Sequence, residues 1–133
     1  MAELDLGNYR TNPLGNRLRR ALWNICWLVF CRWTPRGVAL FDHWRIFWLS
    51  LFGARIGRGS VVHGGARIWA PWDMEMGCRS CLSPAVFCYN VGKVVIGDNV
   101  VVSEGAWLCP GSHKVQSVTM DLTPGVTIID DNA

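Results

Sequence analysis

Ile96-Gly97-Asp98-Asn99-Val100-Val101, Val102-Ser103-Glu104-Gly105-Ala106-Trp107 and Leu108-Cys109-Pro110-Gly111-Ser112-His113 are three consecutive blocks of six that share one grammar. Each opens on an aliphatic residue, continues through turn-forming residues and places a small or β-branched residue fifth. Working back from this stretch, the pattern returns as Ile56-Gly57-Arg58-Gly59-Ser60-Val61, Val62-His63-Gly64-Gly65-Ala66-Arg67 and Ile68-Trp69-Ala70-Pro71-Trp72-Asp73, and again from Met76-Gly77 and from Leu82. Ile56-Gly57, Met76-Gly77 and Ile96-Gly97 stand twenty positions apart, so a repeat unit is three hexads plus a two-residue insertion, expected at a corner. A strand in a sandwich alternates with period two, and period six over eight blocks does not fit it. The pattern predicts a parallel β-helix over 54–133, in which each aliphatic residue points inward from a very short strand. Gly, Asn and Asp fill corners because they tolerate positive φ at little cost. Stacked coils then bury an aliphatic column that no single coil could bury alone.

Residues 1–53 follow a different rule. Asn12 is a candidate N-cap and Pro13 suits the first helical position, after which Leu14, Leu18, Leu22, Ile25 and Val29 recur at helical spacing until Thr34-Pro35 ends the segment. A second helix is expected over about 38–52, with Leu40, Trp44, Phe47 and Leu51 on one face and Gly53 closing it. This Trp-rich pair either packs as core and cap over the end of the repeat domain or contacts a membrane.

Composition narrows the class. The chain has 133 residues, 50% of them hydrophobic and 17% charged, which suits one modest globular domain and excludes a disordered protein. Nine arginines from Arg10 to Arg58 make the front half basic, while Asp98, Glu104, Asp121, Asp130 and Asp131 lie behind. Arginines interleaved with Trp and Leu suit a membrane surface or an anionic lipid-linked acceptor better than nucleic acid, for which there is no motif. No signal peptide is visible, and the apolar run 21–31 is too short to span a bilayer, so a cytoplasmic protein, at the inner face of the membrane, is expected. Cys78 and Cys81 form a lone CxxC among six cysteines. Without a second pair, buried reduced thiols are expected and a metal site is not.

The stretches Phe52-Gly53-Ala54-Arg55-Ile56-Gly57, Ala66-Arg67-Ile68-Trp69-Ala70-Pro71-Trp72, Cys88-Tyr89-Asn90-Val91 and Leu108-Cys109-Pro110-Gly111-Ser112-His113 resemble the colanic-acid-type O-acetyltransferases of exopolysaccharide biosynthesis. The resemblance extends forward to Arg32-Trp33-Thr34-Pro35. It implies a left-handed parallel β-helix of hexapeptide repeats, preceded by the helical segment. It also implies acetyl transfer from acetyl-CoA, as co-substrate, to a hydroxyl of a sugar or lipid-linked oligosaccharide, in a homotrimer with active sites between subunits.

The family's general base maps onto His113, and chemistry agrees. An imidazole with an ordinary pKa of about 6.5 accepts a hydroxyl proton at neutral pH without a metal, and His113 stands at a coil end before the non-repeating stretch 114–125. The family's aromatic-Asn pair maps onto Tyr89-Asn90, which the resemblance assigns to acceptor binding. Asn90 also suits a corner in the left-handed conformation, and both readings stand. Lys114 departs from the acidic residue that relatives often carry after the histidine, and a cation there tends to lower an imidazole pKa. The repeats stop at Ile128-Ile129-Asp130-Asp131-Asn132-Ala133, whereas the family continues through coils that line the CoA arm, so no donor-binding residue can be named. The expectation is a chain truncated at its C-terminus. Two other classes compete. One is an inactive hexapeptide scaffold or remnant. The other, a β-helix carbonic anhydrase, is poorly served because the repeats hold only His63 and His113 where three zinc ligands are needed.

Overall fold

The computed structural model describes residues 14–35, 37–109, 111–113, 122–124 and 126–133. The expected cap at Asn12-Pro13 lies outside them. Two helices, α1 (Leu14–Phe30) and α2 (Ala39–Leu51), are followed by β1 (Arg55–Ile56), β2 (Val61–Val62), β3 (Arg67–Ile68), β4 (Met74–Met76), β5 (Cys81–Leu82), β6 (Phe87–Cys88), β7 (Lys93–Ile96), β8 (Val101–Val102) and β9 (Trp107–Leu108). The chain then runs through β10 (Gly111–His113), β11 (Leu122–Pro124) and β12 (Val126–Ile129).

The strands form three parallel sheets, ordered β1-β4-β7-β12, β2-β5-β8 and β3-β6-β9, and a separate antiparallel pair, β10-β11. Ile56 pairs with Met76 and Met76 with Ile96, so one coil stacks on the next at the twenty-residue spacing of the hexads. The aliphatic openers Val62, Ile68, Met76, Leu82 and Ile96 are buried, and so are the fifth-position residues Ser60, Ala66, Ser80, Val86 and Val100. Two inward positions per hexad therefore build the core, one at mid-strand and one at the corner.

One expectation is corrected. The two extra residues of each coil do not sit in a corner loop. They lengthen the strand on the first face, where Met74 joins Met76 and Val94 joins Ile96 in the core. A short 3₁₀ turn, Pro71–Asp73, leads into β4.

Corners stack as columns. Gly59, Arg79, Asn99 and Asn132 occupy equivalent positions with φ of 76°, 54°, 55° and 64°. Arg79 and Ala85 adopt positive φ without the freedom of glycine or the tolerance of asparagine, a cost the stacking offsets. Side chains join successive coils. Ser60 Oγ donates to Gly77 O (2.5 Å) and accepts from Ser80 N (3.0 Å), and Ser80 Oγ repeats this one coil on with Gly97 O (2.7 Å) and Val100 N (3.0 Å). Asp98 Oδ1 accepts from Cys78 N (2.7 Å), and Asp131 Oδ1 accepts from Asp98 N (2.6 Å).

Gly77 lies where two coils approach closely. A Cβ there would sit 2.6 Å from the carbonyl carbon of Gly97, backbone that cannot swing aside. Gly77→Ala is expected to destabilise the fold by about 2 kcal/mol, read as a lower urea midpoint at unchanged m-value. An unchanged midpoint would mean the coils separate freely.

The helices close the first coil. Val61 and His63 donate upward to Ser80 O (2.8 Å) and Leu82 O (3.1 Å), so the carbonyl of Val62 between them faces away from the stack. Arg45 Nε meets it at 2.6 Å. Trp23 Nε1 donates to Ile68 O (2.7 Å) and Trp27 Nε1 to Ala66 O (3.0 Å). Three side chains thus substitute for the coil that is not there, and an otherwise open sheet edge is satisfied. Arg45 is fully buried and also bonds Thr34 Oγ1 (2.6 Å) and the Asp42 carboxylate.

The packed faces of the helices are accordingly Trp23, Trp27, Arg45 and Leu49. The aliphatic stripes that mark the helical spacing lie outside: Leu18, Leu22, Ile25 and Val29 on α1, and Leu40, Trp44, Phe47 and Leu51 on α2, are all exposed. The indoles and the guanidinium both fill space and donate to an edge carbonyl, which the aliphatic stripe cannot do, and this selects the inward face.

Candidate active site

Tyr89 follows β6 directly and is half-buried on the outer surface of the β3-β6-β9 sheet, its backbone N–H bonded to Leu108 O (2.9 Å). Its ring meets Trp69, one coil below, edge-on at 4.7 Å and lies 5.6 Å from Phe87. Phe87 in turn meets Trp107 edge-on at 4.8 Å. Arg20 stacks over Trp69 at 3.9 Å and Arg67 over Phe87 at 4.8 Å. An aromatic platform flanked by guanidinium groups therefore runs up one face of the stack, and Trp107, 70% exposed, stands at its upper end.

Sequence reasoning missed the platform, although its signal was present. Arg67, Phe87 and Trp107 repeat at twenty-residue spacing in the sixth, outward place of the hexad, and Trp69 and Tyr89 do so in the second. Attention to the inward positions hid the outward ones.

Asn90 is fully buried at the corner after Tyr89. Its Oδ1 accepts from Ala70 N (2.8 Å) and its Nδ2 donates to Ala70 O (2.5 Å), so the amide pairs with one backbone residue of the coil below as a further strand residue would. Beside it lies a cavity of about 30 Å3 bordered by Arg20, Trp69, Trp72 and Asp73, room for about one water molecule. Burial pushes the Asp73 carboxyl above the usual range, against the opposing pull of Arg19 and Lys93.

The backbone of His113 ends β10, where it pairs with Leu122 of β11. Its imidazole lies outside what is described, as does Lys114. Placement of the strand is informative all the same. Ile129 pairs with Ile96, 33 positions back instead of twenty, and the added length is the β10-β11 excursion. His113 is thus the last residue of β10, six residues beyond Trp107, in an antiparallel pair whose first rung is Gly111 with Pro124.

Among the described residues no group of three or more His, Cys, Asp or Glu side chains could hold a metal ion. Cys26, Cys31, Cys78, Cys81 and Cys88 are free thiols. Cys31 and Cys88 are buried, and burial pushes both thiols up to about 12. Cys109 is exposed, contrary to the expectation that the thiols would be uniformly buried.

Short parallel strands repeating at twenty residues around three faces fit a hexapeptide-repeat architecture. The chain is a homologue of the putative colanic acid biosynthesis acetyltransferase WcaF of Escherichia coli (strain K12) and of the protein of the same name in Shigella flexneri, at 33% identity to each over 112 residues. The aligned part is 83% of this chain, which spans 60% of the length of those relatives. No family model matches the sequence, and no solved structure does.

Proposed function

We propose that this chain is an O-acetyltransferase of exopolysaccharide biosynthesis, built on a left-handed parallel β-helix. The observation that carries the reading is the homology to WcaF over the repeats and the helical segment together. The acetyl group comes from acetyl-CoA and goes to a sugar hydroxyl, free or on a lipid-linked oligosaccharide. His113 takes the hydroxyl proton as the oxygen attacks the thioester carbonyl, the carbon–sulfur bond breaks, and the proton passes to the departing CoA sulfur. No metal is needed, because the imidazole supplies the base. Tyr89 and the aromatic platform offer flat apolar surface against which the C–H face of a sugar packs, while Arg20 and Arg67 supply donors at its margin. Asn90 acts by fixing the corner on which Tyr89 stands. The protein works as a homotrimer on the cytoplasmic side of the membrane, with neighbouring subunits completing each site.

The test is transfer of labelled acetyl from acetyl-CoA to candidate saccharides, with free CoA measured in parallel. Label in the saccharide matched by released CoA is expected. A folded protein that releases no CoA above the acceptor-free rate would be a non-catalytic hexapeptide scaffold.

A further inference from the structure

Trp33, Leu40, Phe41, His43, Trp44 and Phe47 line a groove of about 570 Å3 on the outside of the helix pair. It is continuous with no core: Leu40 is 74% exposed and Trp33 65%. Such surface is unusual on a protein that meets only water.

Both indole N–H groups of this groove, and one ring nitrogen of His43, are satisfied from within. Trp33 Nε1 donates to Val29 O (2.5 Å), Trp44 Nε1 donates to Phe30 O (2.8 Å), and His43 Nδ1 bonds Ala39 O (2.8 Å). A protein partner would normally exchange a hydrogen bond for every 100 to 200 Å2 or so of interface. Hydrocarbon asks for none and penalises any donor left open. The indoles of the groove meet the second condition and give little purchase for the first.

Charge points the same way. Between residues 14 and 52 the described exposed charged side chains are Arg17, Arg19 and Arg32, all basic, while the one acid, Asp42, is held by the buried Arg45. Arg32 is exposed next to Trp33, where an anionic headgroup would sit if Trp33 entered the acyl region. Helix lengths of 17 and 13 residues are below the roughly 20 needed to span, and no described helix is long and apolar enough to cross a membrane. Such helices lie in the interface plane.

We infer that the outer face of α1 and α2 docks the protein on an anionic lipid bilayer, with the Trp33–Phe47 groove seated among acyl chains. The inference rests on the proposed function only in what the membrane supplies, a lipid-linked acceptor, and its test involves no acetyl transfer. Purified protein is sedimented with vesicles of phosphatidylcholine, and with vesicles containing about 30% phosphatidylglycerol. Strong partition to the anionic vesicles and weak partition to the neutral ones is expected, reduced but not abolished at about 0.5 M NaCl. The double variant Leu40→Ser/Phe47→Ser alters only exposed side chains, so melting temperature should hold while the partition coefficient falls about tenfold or more. Val101→Ser, exposed on the stack, should bind like the parent. Equal partition of Leu40→Ser/Phe47→Ser and parent would overturn the inference. So would light scattering in which that variant breaks an oligomer while lipid binding is unchanged, since the face would then lie between copies of the chain.

Discussion

His113→Ala lowers kcat for acetyl transfer by about a hundredfold or more, with little change in acetyl-CoA affinity. The size follows from the chemistry. A sugar hydroxyl is a poor nucleophile until its proton has somewhere to go, and no other histidine lies between β9 and β12. His43 lies on α2 and His63 directly after β2, both in the earlier part of the chain. The measurement is steady-state CoA release with saturating donor, alongside a circular dichroism melt to establish that the variant is folded. Near-parental turnover would remove His113 from the mechanism, and proton acceptance would have to be sought elsewhere.

Arg45→Ala is expected to destabilise the protein by about 3–5 kcal/mol. Its guanidinium is fully buried and serves three elements at once: the edge carbonyl of Val62, the hydroxyl of Thr34 after α1, and the Asp42 carboxylate on its own helix. Truncation leaves a carboxylate without its cation and an edge carbonyl without a donor, and it opens a void beside Leu49. Arg45→Lys should recover only part of the loss, since one ammonium cannot reach all three acceptors in the guanidinium's planar arrangement. Urea unfolding followed by tryptophan fluorescence reads the effect. A loss below about 1 kcal/mol would show that the helix pair is not coupled to the first coil.

The repeat was legible in the sequence because coil geometry imposes a strict length. Ile56, Met76 and Ile96 must coincide for the core to be continuous, so the spacing survives variation in side chain. The step from Ile96 to Ile129 was not legible, because the β10-β11 excursion suspends the constraint and the count with it. Both helices were legible in extent but not in orientation. Leu18, Leu22 and Ile25 make as good an apolar stripe as Trp23 and Trp27, and periodicity weighs only hydrophobicity. What chooses between the faces is a set of open carbonyls at Ala66 and Ile68, features of the folded backbone that no residue code records. Asn90 illustrates the same point at the site. Its residue type fits an acceptor contact and a left-handed corner equally well, and the folded backbone adds a pairing with Ala70 at a φ that is not positive.

The way the helices finish the first coil gives the molecule a beginning. Trp23, Trp27 and Arg45 are synthesised before any strand, and they present donors where the first coil will need them. Each later coil then meets a finished layer beneath it, and its own side chains, Asn90 and Asp98 among them, clamp onto that layer as they arrive. Growth of the stack can therefore keep pace with the ribosome in one direction, adding a layer for every twenty residues that emerge without waiting for distant sequence. Within the described coils, a chain halted between them would already have every layer but the newest in place.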